Sequence, residues 1–296
     1  RPALPRQVVS GTGVVQAGQT AQVVLPARWI PGTERHQLWC AGHPTLELAG
    51  ALDYLLRYPY GCVEQTTSAA LPLLYLADLA EQLQPGRMTR TDVTRYVDHG
   101  VQRLWSLQRP DGTFGQWSGA GDAYPWGTIY AGHFLVEAQR AGYDVAPDRL
   151  EATLERLESL LRASGPGQQN TAGWRQDRIR RAYACHVLAL AERGDPGWIS
   201  RLLEEVQWLP ESARLHLAAA MALSGRRGDA GGLLTSLGPD TVTPVEPGAN
   251  PTLESPTRAV ALRLYAWLLV DPRHPEVASL ARRLSERRIQ GRWQTT

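Results

Sequence analysis

Gly61-Cys62-Val63-Glu64-Gln65 places a thiol three residues ahead of a carboxamide. Those two side chains can join. If the Cys62 sulfur replaces the Gln65 amide nitrogen, ammonia leaves and an internal thioester remains. The ring has about fifteen atoms, small enough to close across one tight turn. A thiolate is a better leaving group than an amide nitrogen, since a free thiol has a pKa of only about 8.5. The bond therefore stores an activated acyl group for a single use. The competing reading is a buried cysteine that precedes a polar residue and packs as a small hydrophobe. The rest of the chain has to decide between them.

Each neighbour has a plain reading beside a chemical one. Gly61 is expected to supply a backbone angle that other residues resist. Glu64 lies inside the ring and is a helix-start carboxylate as readily as a reactive group. Tyr58 and Tyr60 are either core aromatics or rings that keep water off an acyl bond. Trp117 and Trp126 read as packing residues. His36, Cys40 and His43 have loosely metal-like spacing, but a zinc site needs a fourth ligand or an open water position. That segment reads as a strand, so neither a metal nor a cofactor is expected. Cys185 and His186 fall within one helix, where adjacent residues do not share a face. A cysteine nucleophile is not expected there.

The whole chain bounds what this chemistry serves. Its 296 residues are 43% hydrophobic and 20% charged, an ordinary globular composition that can bury a sizeable core. A net charge of +2 gives no argument for a nucleic-acid partner. No apolar run approaches the roughly 20 residues that span a bilayer, so direct membrane insertion is not expected. The chain starts at Arg1 with no signal-like apolar core, which suggests a processed chain or a piece of a longer one. Three cysteines make no disulfide framework and do not settle the compartment or whether Cys40 and Cys185 pair. All 31 basic residues are arginine. Codon bias accounts for this, and a surface without lysine also offers a reactive acyl group no side-chain amine of its own.

The elements that must hold the pair change character near residue 45. Residues 7–29 have short β-branched runs between glycines, and 36–44 reads as one more strand, so 1–44 is expected to be a β-rich edge too short to fold alone. From Leu46 the spacing turns helical, with Leu48, Leu52, Leu55 and Leu56 on one face. Further helices are predicted over about 66–84, 91–108, 126–142, 147–163, 176–193, 198–207, 211–223, 257–270 and 274–288. Pro72 clashes with the Ser68 carbonyl inside a continuous helix, which predicts a short turn after Gln65 and a main helix from Pro72. Residues 238–256 are Pro-rich and read as a long surface loop. Helical pairs in series point to a repeat architecture. "LQRPDGTFGQW" (107–117) and "RRIQGRW" (287–293) each set a Gly turn before an aromatic, which caps one helix and tucks a ring under the next repeat.

"YPYGCVEQTTS" resembles the thioester motif of the alpha-2-macroglobulin and complement family, in its bacterial form. "LQRPDGTFGQW" with "TIYAGHFLVEAQRAGYDV" resembles the next signature of that thioester domain, and "GRWQTT" resembles the start of its late helix. The resemblance covers about residues 45–296 and implies a mainly α fold, an alpha/alpha toroid of helical hairpins, with 1–44 belonging to a neighbouring CUB-like domain. The chain is expected to stop before the toroid closes. The resemblance implies a protease trap that is not a turnover enzyme. The partners are a target protease, held through lysine amines at the Gln65 carbonyl as Cys62 departs, and other domains of the same large chain. It further implies a periplasmic location, with lipoprotein anchoring of the parent left open, and a covering role for Tyr58. In relatives that favour hydroxyl targets, a histidine follows the Asp-Gly-aromatic signature. Residues 115–128 hold none, and His133 reads as an ordinary helical residue, so direct attack by amines is expected.

Other toroids are terpene cyclases or prenyltransferases. The acidic D-x-D-D motif of the first and the zinc ligands of the second are both missing from the sequence. The remaining alternative is a non-reactive toroid that serves as a protein-binding module.

Overall fold

Val63, Thr66, Thr67, Ala70, Leu73 and Leu76 recur at three- and four-residue steps, and the chain folds them into one helix, α1, over Val63–Leu76. The computed structural model describes residues 61–77, 89–119, 121–238 and 252–287, with residues 9, 15, 18–25, 29–36 and 38 ahead of them. Helix α1 runs through Pro72, so the expected break there does not occur. A proline inside a helix costs about 3 kcal/mol. Burying Leu73 and Leu76 on the same stripe returns about 1.5–3 kcal/mol each, enough to offset it.

Nine more helices follow among the described residues. They are α2 (Arg90–Trp105), α3 (Pro125–Arg140), α4 (Pro147–Arg162), α5 (Ala172–Leu190), α6 (Pro196–Glu204), α7 (Glu211–Leu223), α8 (Arg227–Ser236), α9 (Pro256–Val270) and α10 (Pro275–Glu286). Their starts follow local rules. Thr89, Thr171, Asp195 and Ser255 cap α2, α5, α6 and α9 through side-chain oxygens, and proline opens α3, α4, α6, α9 and α10, where its missing N–H costs nothing. Helix α8 is absent from the sequence expectation. Its Gly228, Gly231 and Gly232 obscure the pattern, and it buries only Ala230 and Leu234.

The odd-numbered helices pack on one another in the order α1, α3, α5, α7, α9, and each even-numbered helix packs outside its neighbours in sequence. This is the two-layered arrangement of an alpha/alpha toroid. Burial follows the layers. Helix α5 buries residues all round, from Trp174 to Leu190, whereas α4 buries only Leu150, Thr153, Leu154, Leu157 and Leu161, the single stripe of an outer helix. The described residues between 9 and 38 contain no strand. Most of the expected β segment, the expected helix near 46–58, and Cys40 and His43 lie outside the described residues.

Where α3, α5, α7 and α9 meet, the interior is polar and aromatic. His133 Nδ1 lies 2.8 Å from the Tyr183 hydroxyl, and Tyr183 stacks on His216 with centroids 4.1 Å apart. Arg258, over the Trp126 ring, reaches His216 Nε2 at 3.4 Å. An arginine can only donate, so the His216 proton sits on Nδ1. That nitrogen faces His186 Nδ1 at 3.1 Å, and His186 Nε2 faces the Tyr265 hydroxyl at 3.4 Å. Burial, with Arg258 beside them, drives all three imidazoles to the neutral form, and His133 is pushed down to about 4. His133 is thus part of a buried network and not an ordinary helical residue.

Candidate functional site

The thiol and the carboxamide meet at the start of α1. Cys62 is its N-cap and Gln65 its N3 residue, and their contacts are reciprocal. The Cys62 side chain faces the Gln65 backbone N–H, while Gln65 Oε1 accepts a hydrogen bond from the Cys62 N–H at 3.2 Å. This is the geometry of a capping box, with a thiol and an amide in place of the usual hydroxyl and carboxylate. The pair that a helix start brings together non-covalently is the pair a thioester joins. The Cys62 N–H, among the first free donors of the helix, is aimed at the oxygen on which negative charge gathers when the Gln65 carbonyl is attacked. Cys62 is buried at 5% exposure, while Gln65 is exposed, so the thiol residue faces inward and the carboxamide residue faces outward.

Gly61 belongs here for lack of space. Its φ is not positive, contrary to the expectation from sequence. A Cβ at this position would stand 2.6 Å from Gln65 Cβ and 2.8 Å from Gln65 Oε1. Any side chain would push the carboxamide off the Cys62 N–H. The Gly61 carbonyl is held from α2, where Arg103 donates to it from Nη2 at 3.2 Å and steadies Ser118 at 3.2 Å.

The turn between α2 and α3 delivers the remaining contacts. Asp111 Oδ1 accepts from the Thr113 N–H at 3.1 Å, and Gly112 has a φ of +79°, where a Cβ would lie 2.3 Å from the Ala152 carbonyl oxygen. Only glycine fits that approach. Gln108 bridges to the Arg149 carbonyl and the Thr153 hydroxyl on α4. Phe114 is fully buried, its N–H donating to Thr128 Oγ1 at 3.0 Å. Thus anchored, the turn presents the Gln116 carbonyl to the Val63 N–H at 3.1 Å, satisfying one orphan donor of α1. It also holds the Tyr124 backbone N–H on the Phe114 carbonyl at 2.8 Å. Trp126 is buried as a packing residue, but Trp117 is 52% exposed, which corrects the packing role expected for it. Trp117 follows Gln116, whose carbonyl caps α1.

Tyr124 and Arg103 are the site residues that the sequence reading misses. The Tyr124 hydroxyl donates to Glu64 Oε1. Burial, followed by Glu64 and then Cys62, holds the phenol's proton well above the ordinary tyrosine range. A tyrosine before Pro125, which must open a helix, was the available signal. Cys185 is free, buried inside α5 and pushed up to about 12 by burial, with Asp195 adding to the shift, and such a thiol is inert at neutral pH. Tyr58 and Tyr60 lie outside the described residues.

Comparison with known proteins shows what the chain is similar to. The A-macroglobulin TED domain family matches residues 41–175. A curated alpha-2-macroglobulin of Escherichia coli K12 is 38% identical over 170 residues, 56% of this chain and 10% of that protein. The chain thus spans about a tenth of the length of the curated relatives it matches. Among solved structures, Salmonella alpha-2-macroglobulin reacted with methylamine is similar at 30% identity with a TM-score of 0.72, over 83% of this chain and 16% of that one. Trypsin-activated alpha-2-macroglobulin from Escherichia coli is similar at 27% identity with a TM-score of 0.65, over 80% of this chain and 16% of that one.

Proposed function

Since this chain carries a TED domain and belongs to the alpha-2-macroglobulin family, we propose that Cys62 and Gln65 close an internal thioester that captures an attacking protease. The observation that carries this reading is the reciprocal pairing of Cys62 at the N-cap with Gln65 at N3. Two similar structures are described as a methylamine-reacted and a trypsin-activated protein, which supports amines and proteases as the reacting partners here. A lysine amine attacks Gln65 Cδ, and the developing oxyanion is met by the Cys62 N–H. The Cδ–Sγ bond breaks, the protease is left attached through an amide, and the released thiol cannot re-form the bond. The domain therefore acts once, as an inhibitor and not as an enzyme. Activation by cleavage elsewhere, shielding by other domains and a periplasmic setting belong to the longer parent protein and are part of this proposal.

The test uses that parent. Before amine treatment a thiol reagent should leave Cys62 unlabelled, and methylamine should expose one thiol per chain. Full labelling of Cys62 beforehand would favour the alternative, a non-reactive protein-binding module. Residues 115–128 hold no histidine, and the described histidines of α3, α5 and α7 are locked in the interior network. Amines should therefore react in preference to hydroxyls. Glycerol incorporation equal to that of methylamine would contradict direct attack.

A further inference from the structure

The Gly61 carbonyl and the Cys62 N–H belong to one peptide group. Its N–H end donates to Gln65 Oε1 at 3.2 Å. Its oxygen end is held by Arg103, which donates from Nη2 at 3.2 Å and from Nε at 3.4 Å. The guanidinium is itself fixed in place, because Nη1 donates to Ser106 Oγ at 3.1 Å and to Ser118 Oγ at 3.2 Å. The plain reading of Arg103 is a basic residue in the last turn of α2, favourable to that helix's dipole. A dipole contact alone does not aim two nitrogens at one carbonyl 42 positions away. Gly61 is buried, so its carbonyl needs a partner, and a neutral donor would satisfy that need. A cation in this place does more.

We propose that Arg103 is a positioning residue of the acyl centre, which orients and polarises the N–H that meets the Gln65 carbonyl oxygen. The assignment rests on the thioester reading of Cys62 and Gln65. A hydrogen bond from a cation is about twice as strong as a neutral one. It draws electrons toward the Gly61 oxygen and away from the Cys62 nitrogen, so the N–H becomes a stronger donor. The planar fork also fixes the peptide plane, and the N–H need not reorient as charge grows on Oε1. Negative charge gathers on that oxygen twice: when Sγ adds to Cδ in closing the ring, and when an amine adds to Cδ in opening it. Both steps gain from the same contact. The absence of a side chain on Gly61 completes the line, since a Cβ there would stand 2.8 Å from Oε1. Arg103 acts through the peptide and transfers no proton, electron or group itself.

Three variants of the parent protein test it. Arg103→Lys keeps a cation, Arg103→Gln keeps a donor without charge, and Arg103→Met keeps only the apolar stem. Folding is followed by circular dichroism and melting temperature. Closure is the fraction of Cys62 that resists a thiol reagent after synthesis, and opening is the rate of thiol release to methylamine from closed molecules. Release should slow about tenfold in Arg103→Met, less in Arg103→Gln and least in Arg103→Lys, with closure slowed in the same order. A contact that only braces the helix start gives the opposite sign, because loosening α1 there opens the acyl bond to amines. Release at or above the parental rate in folded Arg103→Met would overturn the proposal. Equal slowing in Arg103→Lys and Arg103→Gln would also overturn it, since the charge would then play no part. If Arg103→Met does not fold, the comparison of those two variants decides. A parent whose Cys62 reacts fully before any amine is added defeats the thioester reading itself, a result distinct from all of these.

Discussion

Gly61→Ala sets a methyl group 2.6 Å from Gln65 Cβ and 2.8 Å from its oxygen, closer than carbon atoms pack. Rotation of the Gln65 side chain does not move its Cβ, so the backbone at the start of α1 must shift and carry Gln65 Oε1 off the Cys62 N–H. Ring closure should then fail in most molecules while the other helices persist, read as a free Cys62 thiol in a protein that still unfolds cooperatively. A fully masked thiol in this variant would show that the contact is not needed. Tyr58 is proposed as the shield over the acyl bond. Tyr58→Gly in the parent should leave the domain folded and speed methylamine-driven thiol release. If Tyr58 is instead core, its loss costs about 3–5 kcal/mol and release tracks unfolding. The Cys62–Gln65 pair was legible because its chemistry lies in adjacent letters. Tyr124 was not, because it meets Glu64 across 60 positions of sequence, and local spacing carries no trace of that contact.

The helix α1 depends on a turn it does not contain. Gly112→Ala in the Asp-Gly-Thr-Phe turn forces a left-handed backbone angle on a residue with a side chain and drives it into the Ala152 carbonyl. We expect a loss of about 1–3 kcal/mol in urea unfolding, together with faster hydrolysis at Gln65, since this turn caps α1 through Gln116. Unchanged stability would mean that the turn adapts. The helices with regular apolar spacing were readable to within a few residues: 211–223 for Glu211–Leu223, and 147–163 for Pro147–Arg162. Two errors have physical causes. Propensity at Pro72 was outweighed by the burial of Leu73 and Leu76, a tertiary gain invisible to local rules. The glycines of Arg227–Ser236 hid a helix that is held by its packing on α7 and α9.

At the scale of the whole molecule, the inner helices enclose three neutral histidines. Their folded pKa values lie below the unfolded value near 6.5, with His133 at about 4. Below about pH 6.5 the unfolded chain therefore takes up protons that the folded chain refuses. Stability is fully present above that pH and falls as pH drops toward 4, by up to about 1.4 kcal/mol per pH unit for each histidine. Urea unfolding at pH 7 and pH 5 should show the loss, and His216→Phe should shrink it by about a third. An unchanged pH dependence in that variant would remove His216 from the set. Within the toroid one helix start sets Cys62 inward and Gln65 outward, and the proposed function rests on a bond between them. The most direct measurement is the mass of the peptide containing Cys62 and Gln65, taken from the native parent digested without amines or thiol reagents. The account predicts a deficit of one ammonia, about 17 mass units, which disappears after methylamine treatment as the amine is added at Gln65. A peptide of full mass with an unmodified Gln65 would contradict it.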